Sequence, residues 1–208
     1  MDTVLYDFVA LFVVLDPIGT AAIFAGMTRS VAEAQRRNMA LRATVMAGLI
    51  LFAFALGGEA LLGALGIGLP AFRIAGGLML FLLAIDMVFA RQSGLRSMTP
   101  VEDRETEERE DITVFPLAFP LIAGPGAMTT LILLMGRADG DLVAMLPVVA
   151  VLTFVLALTY FLLLGSRRVL HLLGMTGSNV VSRVLGILLA ALAVQFVLDG
   201  VHQSFPNL

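Results

Sequence analysis

Leu15-Asp16-Pro17-Ile18-Gly19-Thr20 lies in the middle of an apolar run, and Ile122-Ala123-Gly124-Pro125-Gly126-Ala127 lies in the middle of another, in the second half of the chain. Each run is long enough to cross a membrane, and in each the proline removes a backbone donor and clashes with the preceding turn. Both helices are expected to break there. In hydrocarbon an unpaired backbone group is so costly that irregular backbone survives only inside protein or beside a water-filled cavity. Matching breaks in two halves of a membrane protein therefore point to a transporter's binding site.

Composition supports the membrane reading. The chain has 208 residues, 59% of them hydrophobic and 14% charged, with a mean hydropathy of +0.98. Soluble domains carry about 25% charged residues. There is no cysteine, which excludes disulfides, thiolate metal sites and dithiol redox chemistry. The N-terminal Met1-Asp2-Thr3-Val4 lacks the basic region of a signal peptide, so no cleavage is expected.

Six apolar segments follow, at roughly 4–27, 39–62, 72–90, 112–135, 142–165 and 182–203. Each approximates the ~20 residues that span a hydrocarbon core of about 30 Å. The fold class expected is thus all-α, a polytopic membrane protein. All 13 basic residues are arginine; eleven lie in or beside the odd-numbered connections, and only Arg73 and Arg137 fall on the other side. By the positive-inside rule the odd connections are cytoplasmic and both termini face outward. Arg73 and Arg183 begin segments three and six, where arginine can snorkel to a membrane face.

Residues 91–111 carry seven acids and four arginines, a composition expected to form a solvated cytoplasmic linker. They divide the chain into halves, 1–90 and 112–208, that resemble each other weakly. A slide of 108 sets Pro17 on Pro125, and a slide of 110 sets Arg73-Ile74-Ala75-Gly76 on Arg183-Val184-Leu185-Gly186. A unit of three spans ends on the side opposite its start, so the second copy is inverted, as in many secondary transporters.

At the breaks, Asp16 is a favoured N-cap and Pro17 a favoured first helical residue, while Gly124-Pro125 repeats the arrangement with a neutral cap. In inverted halves the two new helix N-termini meet near the midplane, each with free N–H groups and partial positive charge. Asp16 can occupy its own donors, whereas Gly124 and Gly126 leave theirs open to a carboxylate. Asp16 suits an ammonium group or a coupling proton or cation, and a small zwitterion fits both ends. The candidate substrate-binding residues are Asp16, Pro17, Gly19, Thr20, Gly124, Pro125, Gly126, Thr129, Thr130 and Gln195, with Asp16 also the candidate for coupling. The three threonines can bond a ligand or their own helix. Gln195 is placed further out, four residues before Asp199 on one helix face.

Four stretches together are specific. Leu15-Asp16-Pro17-Ile18-Gly19, Phe72-Arg73-Ile74-Ala75-Gly76-Gly77, Pro116 through Gly126 (PLAFPLIAGPG) and Ala193 through Gly200 (AVQFVLDG) resemble the signatures of the MarC family of bacterial and archaeal inner-membrane proteins. The resemblance covers essentially the whole chain. It implies a multi-pass protein of the cytoplasmic membrane and a transporter of small neutral amino acids, glycine and alanine, with proton or cation coupling. Many members have Asn at the position of Asp16.

No cofactor, metal or nucleic-acid partner is expected. The lipid bilayer, a small zwitterionic substrate and a coupling ion are the partners, and a homo-oligomer is compatible with the pattern. An intramembrane enzyme is not expected: the serines, Ser182 among them, and both histidines lie in connections or at segment ends, and one central carboxyl cannot form a dyad. The rival readings are an exporter of drugs or other small metabolites and a non-transporting membrane assembly factor.

Overall fold

Pro17, Pro70 and Pro125 each stand in the first turn of a helix. The computed structural model describes residues 2–29, 31–89, 113–138 and 141–205; the expected linker at 91–111 lies outside them. Helix α1 is Asp2–Leu15 and α2 is Pro17–Met27, with Asp16 alone between them. Helix α3, Glu33–Ala64, runs for 32 residues. It stops where Gly66 takes φ 68°: Gly66 N donates to Gly63 O at 3.1 Å and Ile67 N to Leu62 O at 2.9 Å, closing the last carbonyls of the helix. Helix α4 is Leu69–Phe89, α5 is Pro125–Met135 with a tight extra turn at Gly136–Ala138, α6 is Leu142–Leu164 and α7 is Ser166–Ser204.

Five helices, with α1 and α2 taken together as Thr3–Met27, are long and apolar enough to cross a membrane. The pair Thr113–Ile122 and Pro125–Ala138, meeting at 51°, makes a sixth span if counted as one. No strand occurs among the described residues. The spans agree with the six apolar segments, with one correction. The first half of the fourth segment is not a regular helix: Phe115 and Phe119 are extended, at φ −128° and −132°, each before a proline joined by a cis peptide bond. Steric conflict between a proline ring and the preceding residue disfavours the helical region there, and Pro116 and Pro120 apply it twice within one turn and a half.

The helices pack through small residues. Helices α4 and α7 run antiparallel along each other. A Cβ on Gly77 would lie 2.7 Å from Ala193 O, one on Gly186 2.8 Å from Met87 Cβ, and one on Gly200 2.8 Å from Pro70 O. Such positions let backbones approach where hydrocarbon offers no hydrophobic drive for association. Leu11, Leu15, Phe24, Leu51, Leu80, Leu117, Leu131 and Phe196 fill the centre. Leu49, Leu56, Phe154, Phe161 and Ile187 point outward, a pattern that suits lipid rather than water.

Two buried arginines depart from the simple charge map. Arg36 lies inside the bundle: Nη1 donates to Ser166 Oγ at 3.0 Å, and Nη2 to Glu33 Oε1 at 2.7 Å and Leu164 O at 3.2 Å. It ties the start of α3 to the α6–α7 corner. Arg73, expected to snorkel, is only 8% exposed.

Candidate functional site

The first junction is built by one carboxylate. Asp16 takes the left-handed conformation, φ 42° and ψ 66°, which Asp and Asn adopt more readily than other side chains. Its backbone stays in register, with Asp16 N donating to Phe12 O at 3.0 Å and Thr20 N to Asp16 O at 2.9 Å. Gly19 N turns to Asp16 Oδ1 at 3.0 Å, capping α2. Thr20 Oγ1 bonds back across the junction to Leu15 O at 3.2 Å. Asp16 is 1% exposed. Its second oxygen accepts from Ser182 Oγ of α7 at 3.2 Å. A side chain on Gly19 would overlap the Asp16 carboxylate and lie 2.8 Å from Ser182 Oγ, so glycine is required for this approach.

The second junction has no side-chain cap. Gly124, extended at φ −77° and ψ 166°, precedes Pro125 at the first helical position. The N–H groups of Gly126 and Ala127 lie in the first turn, where no intrahelical acceptor exists. Thr130 Oγ1 bonds back to Gly126 O at 2.9 Å. Thr129 makes no side-chain hydrogen bond among the described residues, and its Cγ2 fills the space in which a Gly76 side chain would stand. Of the three threonines, Thr129 therefore has the hydroxyl least committed to its own helix.

The junctions are neighbours. A Cβ on Gly126 would lie 3.6 Å from Val14 Cγ1, two residues before Asp16, and 2.8 Å from Leu80 Cδ2 of α4. A cavity of ≈ 20 Å³ opens beside the second junction, lined by Val14, Met79, Leu83, Pro120, Gly124 and Gly126 among others. That is room for one water; a larger ligand requires the helices to part.

The profile of the MarC family integral membrane proteins matches residues 1–205. This chain belongs to the MarC family. A UPF0056 membrane protein of Archaeoglobus fulgidus is 35% identical over 202 residues, covering 97% of this chain and 93% of its own. The UPF0056 membrane protein YvbG of Bacillus subtilis is 33% identical over 205 residues, 99% and 97% of the two chains. YhcE of Escherichia coli, likewise a UPF0056 membrane protein, is 33% identical over 201 residues, 97% and 93% of the two chains. The MarC family is thus present in bacteria and archaea. No solved structure matches the chain.

In this MarC protein the candidate residues fall into two groups. Asp16, Pro17, Gly19 and Thr20 form the first junction; Gly124, Pro125, Gly126, Thr129 and Thr130 form the second. Gln195 stands apart on an exposed face of α7, its amide donating to Asp199 Oδ1 at 2.6 Å. Sequence reading missed Ser182 and Asp7. Ser178 and Ser182 are one turn apart, a spacing that puts two hydroxyls on one helix face. Asp7, only 1% exposed, lies 3.6 Å from Arg137 Nη1, and the Arg137 guanidinium sits 4.4 Å over the Tyr6 ring. An acid amid the apolar run 4–27 was the available sign.

Proposed function

We infer that this MarC protein is a secondary transporter of small neutral amino acids such as glycine and alanine, working across the cytoplasmic membrane with proton or cation coupling. The observation that carries the reading is the chemical inequality of two adjacent helix starts. One is closed by a buried carboxylate; the other presents uncapped backbone donors beside glycines. A zwitterion needs both an anionic and a cationic partner a few ångströms apart, and carboxylates are well held at helix N-termini. The walls are glycine, threonine, Val14, Leu80 and Leu83, which favours a ligand of few heavy atoms over a drug-sized one.

In this reading residues 1–90 and 112–208 are inverted three-span repeats, segments one and four are broken near the membrane midplane, and the arginine-rich connections face the cytoplasm with both termini outside. Asp16 is the coupling group. Its carboxylate is poised between Gly19 N and Ser182 Oγ, so gain of a proton or cation there alters the contact between α2 and α7. The test is uptake of labelled alanine and glycine into proteoliposomes with and without a pH gradient. Accumulation that follows the gradient supports the reading; no movement of either amino acid by folded protein overturns it. Labelling of a cysteine introduced at position 105 from the periplasmic side would overturn the orientation.

A further inference from the structure

A second site lies away from the two junctions. Arg29, Arg167 and His171 surround a cavity of ≈ 300 Å³, with Ala25 and Leu170 as its apolar walls. The cavity is bounded by chain just outside three candidate spans: Thr3–Met27 ends two residues before Arg29, Leu142–Leu164 ends three before Arg167, and Thr176–Ser204 begins five after His171. Those offsets set the basic groups at headgroup depth, beyond the hydrocarbon.

The connecting turn supports this placement. Gly174, at φ 66° and ψ 175°, separates the stretch Ser166–Leu173 from the rest of α7. That stretch carries Arg167, Arg168 and His171 together with Leu172, which is 82% exposed, and Leu173, which is 40% exposed. A short segment that pairs cationic groups with outward leucines is suited to the plane of the interface. Arg167 is also held in place from behind. Its guanidinium donates to Val31 O at 3.0 Å and lies 3.5 Å from Glu33 Oε2. Glu33 is shared with Arg36 at 2.7 Å, so one carboxylate serves two guanidiniums and the cavity keeps an excess of positive charge. Among the described residues neither Arg29 nor His171 has an ion pair or a side-chain hydrogen bond.

We propose that this cavity is a binding site for the phosphate headgroup of an anionic phospholipid, with Arg29, Arg167 and His171 as its donors and Ala25 and Leu170 against the glycerol. The chemistry is that of basic pockets between membrane helices on the arginine-rich side. A phosphodiester presents oxygens to several donors at once, and the apolar walls distinguish a lipid from a free anion.

Native mass spectrometry of the delipidated full-length protein in detergent tests the site, using phosphatidylglycerol, phosphatidylcholine and inorganic phosphate as probes. The expected result is retention of one phosphatidylglycerol per chain in preference to phosphatidylcholine, unaffected by inorganic phosphate in excess. An arginine near an anionic headgroup is worth about fivefold in affinity, so the double variant R29Q/H171Q, which also deletes the His171 donor, is expected to lose at least about fivefold. Arg167 is left intact because it also holds the chain, and R37Q, an exposed arginine outside the cavity, is the control expected to bind as the parent does. Equal retention of phosphatidylcholine, unchanged binding by R29Q/H171Q, or an equal loss in R37Q would overturn the proposal. Displacement of the lipid by inorganic phosphate would overturn the lipid assignment by showing a free-anion site. Circular dichroism and gel filtration of each variant separate loss of the site from loss of the fold.

Discussion

Ser182 Oγ donates to Asp16 Oδ2 at 3.2 Å, joining residues 166 positions apart in the chain. The bond closes the first junction from the side of α7, while Gly19 N closes it from the side of α2. Both oxygens of one buried carboxylate are thereby committed to different helices. A change of charge at that group acts on the contact between them.

Asp16→Asn separates capping from coupling. Asn is an N-cap as effective as Asp and tolerates the left-handed conformation, so the variant is expected to fold with a melting temperature close to that of the parent. Uptake of alanine driven by a substrate gradient should survive while the response to a pH gradient disappears. Unchanged proton-driven accumulation would remove Asp16 from the coupling role.

Ser182→Ala removes a donor from a buried carboxylate. Hydrogen bonds to charged groups contribute about 1.5–3 kcal/mol, and a loss in that range is expected in thermal unfolding of the purified protein. Ser182→Thr keeps the hydroxyl and should recover most of it. A variant Ser182→Ala as stable as the parent would show that the bond does not hold the junction.

Gly76→Ala tests the packing that supports the second junction. The new methyl would overlap Thr129 Cγ2, and overpacking of this kind costs about 1–3 kcal/mol. Thr129→Ser deletes that methyl and keeps the hydroxyl, so the pair Gly76→Ala with Thr129→Ser is expected to melt above Gly76→Ala alone. Additive losses in the double variant would refute a direct contact.

Arg137→Gln leaves Asp7 buried without its cation. Breaking a fully buried pair costs about 3–5 kcal/mol. Because the Arg137 side chain is 36% exposed while that of Asp7 is 2% exposed, the expected loss falls below that range. Asp7→Asn added to Arg137→Gln should restore stability, measured as the detergent melting temperature. No recovery in the double variant would show that Arg137 acts through its stacking on Tyr6 rather than through charge.

Much of this was legible in the residues. Length and hydropathy located the spans because a membrane requires a long apolar run whatever the fold, and Asp16-Pro17 and Gly124-Pro125 mark where α2 and α5 begin. The stretch Thr113–Ile122 was not legible: its hydropathy suits a helix, and only the conflict at Phe115-Pro116 and Phe119-Pro120 shows otherwise. The sequence places Arg36 in or beside the first connection and Arg73 at a segment start where it can snorkel, and neither reading carries information about their burial. The Ser182–Asp16 bond depends on how α7 lies against α2, which no local pattern encodes. Gln195 satisfied the spacing for a partnership with Asp199, and that partnership is where its amide is spent.

The glycine contacts of α4 and α7 carry a mechanical consequence. Gly77, Gly186 and Gly200 seat the two backbones against each other from Pro70 to Met87, and a seam without side-chain clearance transmits displacement instead of absorbing it. The pair therefore behaves as a single beam. Sliding is left to the boundaries with hydroxyls and methyls on them, Ser182 against Asp16 and Thr129 against Gly76, so whatever tilts α7 at one end shifts the wall of α4 beside Gly126 at the other.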